Sequence, residues 1–176
     1  MEPDDGTEVG SEVAPLSFDE FFAAEFASVA GLAFVLCGRW SLAEELAQDA
    51  FVAALRRWEQ VRTFDDPGAW VRRVVANLAT SSWRRRSREA RALARFWNRP
   101  ESPAQLGPAD DDFWQEVRRL PRRQAQCVAL RYLEDRSIAD IATVLGIAES
   151  TVRVQLHNGR RTLATQLAET VEEERP

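Results

Sequence analysis

Apolar residues recur three and four positions apart over most of the chain, and no alternating strand pattern of any length appears. Phe18, Phe22, Phe26, Val29, Leu32 and Val35 form the first such run. Ser17 precedes it as an N-cap with Glu20 at the capping-box position, and Gly38 ends it. A second helix is expected to start at Ser41, with Glu44 three residues on. It carries Leu42, Leu46, Phe51, Leu55 and Trp58, while Glu44, Glu45, Gln48 and Asp49 take polar positions. Val61–Asp66 reads as a loop, and Asp66-Pro67 as the N-cap and first residue of a third helix running to about Arg86. Val71, Val74, Val75 and Leu78 form its inner face. Arg73, Asn77, Thr80, Ser81 and Arg84 lie on the other side, and the helix ends in Trp83-Arg84-Arg85-Arg86.

Residues 99–111 hold Pro100, Pro103, Gly107 and Pro108 and end in aspartates, a linker composition that divides the chain into two modules. Beyond it, Phe113–Leu120 and Arg122–Leu133 read as helices, the second after Pro121. Ser137 caps a short helix with Ile138, Ile141, Ala142 and Leu145, Gly146 makes a turn, and Glu149 or Ser150 opens a last helix with Val152, Leu156 and Leu163 inward. The expected fold is all-α, in two small helical domains. The expected division is a disordered acidic arm at 1–16, a first domain at 17–98, the flexible acidic linker at 99–111, a second domain at 112–168 and an acidic tail at 169–176.

At 176 residues with 45% apolar and 29% charged composition, the chain is too hydrophobic for wholesale disorder. The uncharged stretch from Phe26 to Gly38 is shorter than the roughly 20 residues a bilayer requires. The acidic N-terminus is the reverse of a secretory signal. A cytoplasmic protein without membrane insertion is expected. Cys37 and Cys127 sit in apolar runs as small buried hydrophobes. The one histidine, His157, and two separated cysteines lack metal-site spacing, so no metal is expected. No Gly-rich phosphate loop or nucleophile motif appears, so neither catalysis nor a cofactor is expected.

All 23 basic residues are arginine, as expected of a GC-rich genome, and charge is strongly segregated beneath the net −5. Residues 1–55 carry eleven acids against one Arg, 56–99 twelve Arg against four acids, 100–117 five acids and no Arg, and 118–161 nine Arg against four acids. Two basic blocks on helices with their own apolar faces point to two surfaces for a polyanion, held apart by an acidic strip.

Ser137–Arg161 has the logic of a helix-turn-helix. Gly146 permits the left-handed turn. Ser150 and Thr151 offer hydroxyls and free N–H groups to a phosphate. Arg153, Val154, Gln155, His157, Asn158 and Arg161 face outward, where Gln and Asn suit adenine and Arg suits guanine.

Three blocks, AEELAQDAFVAALRRW (43–58), DDPGAWVRRVVANLATSSWRRR (65–86) and LPRRQAQCVALRYLEDRSIADIATVLGIAESTVRVQLHNGRRTLATQL (120–167), resemble the two regions of extracytoplasmic-function (group 4) sigma-70 factors, in an Arg-rich style similar to actinobacterial members. The resemblance spans about residues 17–168 in the right order. It implies a factor that binds core RNA polymerase and directs promoter-specific initiation through the −10 and −35 elements. Its second helix would dock on the polymerase clamp through Glu45, Gln48 and Asp49, with Leu46 and Leu55 as packing support. The third helix and preceding loop would capture the −10 strand through Trp70, Arg73, Asn77, Ser81 and Arg84, with Trp70 serving either the core or a base. The Thr63–Asp66 loop, Phe64 included, would receive a base turned out of the stack. The linker would enter the polymerase channel, where Asp110, Asp111 and Asp112 mimic nucleic-acid charge. Ser150, Thr151, Arg153, Gln155, Asn158 and Arg161 would bind the −35 element, and this domain would touch the polymerase flap. An anti-sigma partner is common in the family.

The recognition run RVQLHNGR departs from a KSRLHRAR-like pattern. Gln155 and Asn158 replace basic residues, Val154 stands where a small polar residue is usual, and Gly159 sits inside the helix at about 1 kcal/mol relative to Ala. Fewer phosphate contacts imply weaker, less salt-sensitive DNA binding. The rival readings are a helix-turn-helix regulator that never engages polymerase, an RNA-binding adaptor, and a hydrolase or transferase, for which no nucleophile–base pair is visible.

Overall fold

Phe18–Cys37 forms α1, and its sequence dictates both ends. Ser17 and Glu20 make the reciprocal capping box, and Gly38 closes the helix at φ +76°, a left-handed conformation that costs glycine little. The structure is a computed structural model that describes residues 16–93 and 108–173, with side chains described for 16–85 and 112–168. Nearly all of the expected acidic arm, most of the expected linker and the end of the tail lie outside the described residues. Among the described residues every element is an α-helix: after α1 come α2 (Trp40–Leu55), α3 (Trp58–Val61), α4 (Pro67–Leu93), α5 (Pro108–Arg119), α6 (Arg122–Tyr132), α7 (Ile138–Leu145) and α8 (Glu149–Glu173).

Several boundaries differ from the sequence expectation. Ser41 does not cap α2, which begins one residue earlier behind Arg39, with no side-chain cap. Val61 is not loop but the buried end of the single turn α3. The α4 helix continues past Arg86 to Leu93, and α5 starts at Pro108, inside the expected linker. Asp66 does cap α4, its carboxylate accepting from the Ala69 N–H at 2.8 Å.

In the first module α1 packs on α2 and α4. Phe18, Phe21, Phe22 and Phe26 stack down one side of α1 around Phe51 of α2. The Phe22–Phe51 centroids lie 5.0 Å apart, near edge-on, and Trp58 closes the cluster 5.3 Å from Phe18. Such pairs add to the area they bury. By length and composition α1 could cross a membrane, but half of that stretch is buried inside the protein, from Val29 to Cys37 almost without break. Its apolarity serves the core.

The second module is α5–α8, with α8 packed on α6 and α7. Ser137 and Asp140 form a second capping box at the start of α7, and Gly146 ends it at φ +63°. Gly159 has a packing role. It is buried where α8 crosses α6, and a Cβ there would lie 3.1 Å from Val128 Cγ2.

The two modules are not held apart. Helix α1 packs against α5 and α6, and α4 against α6 and α7, so that one continuous apolar core runs through both.

Candidate nucleic-acid and protein interfaces

The outer face of α2 carries Glu45, Gln48 and Asp49, all exposed. Alanines at 43, 47, 50 and 54 bring the opposite face close to the core. Leu46 is buried, as packing support requires. Leu55 is not: it is 53% exposed, and Val52 (44%) and Trp40 (38%) also stand in solvent. Position 55 is the last residue of α2, where the neighbouring helix no longer covers the chain. The face therefore combines carboxylates with the exposed side chains of Val52 and Leu55, a composition suited to another protein's surface, while Trp40 stands at the helix start against Phe34.

The loop before α4 and the first two turns of α4 enclose a cleft of about 530 Å³ lined by Thr63, Phe64, Asp65, Asp66, Trp70 and Arg73. Phe64 is 38% exposed. Thr63 is exposed and its hydroxyl donates to the Gln60 carbonyl. Trp70 is half-buried and packed on the core, and it also lines the cleft. Two aromatic side chains among polar lining groups are the chemistry that holds an unstacked base. Thr143 of α7 forms part of the same rim.

Further along α4 the expected outward face is divided. Ser81 and Arg84 are exposed. Thr80 is not outward but buried, donating to the Ala76 carbonyl at 2.7 Å. Arg73 and Asn77 are half-buried against the second module. The Arg73 guanidinium donates from Nε to the Val144 carbonyl and from Nη2 to the Thr143 carbonyl, both at 2.6 Å. The Asn77 carboxamide oxygen accepts from Arg122 and from the Gln126 amide. Burial, with the Arg123 and Arg84 charges nearby, pulls the Arg122 guanidinium below its usual range.

Arg72, one residue from Arg73, was missed by the sequence reading because it falls between the two faces assigned to α4. It is 4% exposed. Its Nε donates to Glu134 Oε2 and its Nη1 to Glu25 Oε2, each at 2.7 Å, and Ser28 bonds both Arg72 and Glu134. Burial alone would lower the Arg72 pKa, but the Glu134 and Glu25 carboxylates outweigh it and hold the guanidinium above its ordinary value. Gln126, fully buried on α6, was missed as well. Its amide donates to the Ala76 carbonyl at 3.0 Å and to Thr80 Oγ1 at 3.3 Å. The sequence signal was a Gln inside an otherwise apolar run.

On α8, Ser150, Thr151, Arg153 and Arg161 are exposed, and Gln155 and Asn158 are half-exposed on the same side. His157 and Val154 are exposed too, Val154 to 54%. Arg153 pairs with Glu149 one turn earlier at 2.8 Å, in solvent. Such an exposed pair is weak and yields readily to a phosphate.

The chain matches the families described as "Sigma-70 region 2" over residues 21–89 and "Sigma-70, region 4" over residues 110–163. It is 31% identical to the ECF RNA polymerase sigma factor SigE of Mycolicibacterium smegmatis, over 96% of this chain and 71% of that protein. It is 30% identical to the RNA polymerase sigma-E factor of Streptomyces coelicolor, over 71% of each. Among solved structures, its fold is similar to the sigma factor RpoE of Bartonella quintana, crystallised with the anti-sigma factor NepR, at a TM-score of 0.67 and 23% identity, covering 86% of this chain and 96% of that one.

Proposed function

The chain belongs to the extracytoplasmic-function branch of the sigma-70 family, and from that premise we propose which of its surfaces carry the work of a sigma factor. It is a transcription initiation factor that binds core RNA polymerase and directs it to promoters. The bond-making chemistry belongs to the polymerase; this chain supplies recognition, in the cytoplasm.

The observation that carries the assignment of surfaces is their separation by chemistry. The carboxylate and apolar face of α2 meets a basic helical surface on the polymerase clamp, through Glu45, Gln48 and Asp49 with Leu55 as a direct contact. The cleft lined by Phe64 and Trp70 takes an unpaired base of the −10 strand, and Arg73, Asn77, Ser81 and Arg84 follow its backbone. Binding single-stranded bases favours the melted promoter, so strand opening needs no nucleotide hydrolysis. The exposed start of α8 enters the −35 major groove through Ser150, Thr151, Arg153, Gln155, Asn158 and Arg161. An anti-sigma factor that clasps both modules is the regulator that family analogy implies.

The match to region 2 over residues 21–89 favours this reading over a simple helix-turn-helix regulator, which needs only the second module. Charge reversal of Glu45 and Asp49 to Arg tests it. Core polymerase captured by the tagged chain should be lost in the double variant while its helical content is unchanged. Undiminished capture would refute the assignment of this face.

A further inference from the structure

The inner stripe of α8 fixes how the helix is rotated about its own axis. Val152, Leu156, Gly159 and Leu163 are all buried. Gly159 brings α8 so near α6 that a Cβ there would lie 3.1 Å from Val128 Cγ2. Successive α-helical residues turn by about 100°, so Val154 falls almost opposite that stripe, at the middle of the outward face. It is 54% exposed. Its neighbours on that face are Ser150, Thr151, His157, Asn158 and Arg161, all of them polar.

The fold gives no reason for a valine at this point. More than half in solvent, the side chain gains little from the core, and a β-branched residue is a poorer helix former than alanine. Apolar groups scattered over a surface are ordinary. This one stands at the centre of a face otherwise composed for hydrogen bonding.

Its chemistry also differs from that of its neighbours. An isopropyl group neither donates nor accepts a hydrogen bond. Every base pair displays polar atoms in the major groove, and among the four bases thymine adds an apolar group there, the C5 methyl. Set against a G·C edge, Val154 would strip water from guanine O6 and N7 or from the cytosine amino group and return no hydrogen bond. Set against thymine, it buries one apolar group on another. Asn158 lies one turn further on and is half-exposed. Its carboxamide suits adenine N6 and N7, so the two side chains favour the same class of sequence.

We propose that Val154 is a specificity-determining residue of the −35 contact, which reads the C5 methyl of a thymine and rejects a G·C pair at that position. This rests on the assignment of α8 to the −35 major groove. The upstream element of this chain then contains a T·A pair covered by Val154. Selectivity at that pair comes from one apolar contact and from the exclusion of polar edges. Arg153 and Arg161 supply the charge that holds the backbone, so Val154 adds discrimination and little overall affinity.

The test assembles the full chain with core RNA polymerase and selects binders from a duplex library with a randomised central stretch. The natural chain is compared with Val154→Ser, an exposed change that should leave helical content as it was. The natural chain should enrich an upstream motif with a fixed T·A pair, and Val154→Ser should relax that position while its neighbours stay fixed. In the selected duplex, deoxyuridine at that thymine removes the methyl alone. Binding by the natural chain should weaken about fourfold, the worth of one buried methyl group, and binding by Val154→Ser should hardly change. The uracil comparison on the natural chain needs no variant. An upstream motif identical in both chains would overturn the role of Val154. So would uracil bound as well as thymine, or a G·C pair at the position the variant relaxes. In each case the −35 reading survives, and Val154 faces a protein or solvent instead. Complexes that form with core polymerase yet enrich no upstream motif with either chain would overturn the −35 reading and this role with it.

Discussion

Arg73 and Val144 are 71 residues apart in sequence, yet the Arg73 Nε donates to the Val144 carbonyl at 2.6 Å. A side chain placed to follow a DNA backbone is thus satisfied by the end of a helix in the other module. Arg73→Ala removes both uses at once. Its single-stranded DNA affinity is expected to fall about tenfold, the size of one charge-assisted hydrogen bond, with no effect on duplex binding through α8. Fluorescence anisotropy with the two DNA forms measures this.

Gly159→Ala separates propensity from packing. In an exposed helix the change would stabilise by about 1 kcal/mol. Here the new methyl group meets Val128 Cγ2 at 3.1 Å, and Val128 is fully buried with a stiff β-branched side chain. The variant is expected to be less stable by about 1–2 kcal/mol in urea unfolding, with unchanged slope.

The Ser137–Asp140 capping box gives a prediction with a sign in pH. Asp140 accepts from the Ser137 side chain and backbone, which holds its carboxyl below the usual value of 3.8. A depressed carboxylate pKa contributes stability above the unfolded value, and the contribution is lost as pH falls through the folded value. Ser137→Ala should cost about 1 kcal/mol at neutral pH. The difference from the natural chain should shrink below pH 3.8, where Asp140 protonates in both. Denaturant titrations at a series of pH values measure it.

Both cysteines are buried, and burial pushes the Cys127 thiol up to about 11. Little thiolate exists at Cys127 at neutral pH and access is closed, so the native chain should be inert to a disulfide-exchange reagent. Two thiols should react after denaturation. Rapid reaction of the native chain would contradict the burial.

The helices of both modules were largely legible in the sequence because each carries its own signals. Ser17 with Glu20 and Ser137 with Asp140 mark starts, and Gly38 and Gly146 mark stops. Ser41 misled because a serine followed by Glu44 has capping-box spacing, while the chain turns into α2 one residue sooner. Leu55 misled because periodicity gives a face but not where the neighbour covering it ends. Surfaces made by one helix alone, such as the start of α8, were legible. The closure between modules was not. Its polar part is made by Arg72, Gln126 and Glu134, whose distant partners lie 44 to 106 positions away, and no local pattern encodes such a pairing. Charge segregation even suggested two basic surfaces held apart, because it records which residues are charged and not which carbonyls or carboxylates meet them.

Run-off transcription with purified core RNA polymerase and a promoter library tests the sigma activity of this chain most directly. Discrete transcripts from a subset of templates should appear only when this chain is added, and should disappear with Glu45→Arg/Asp49→Arg. Transcription that is indifferent to the chain, at every salt concentration and with no inhibitor present, would contradict it.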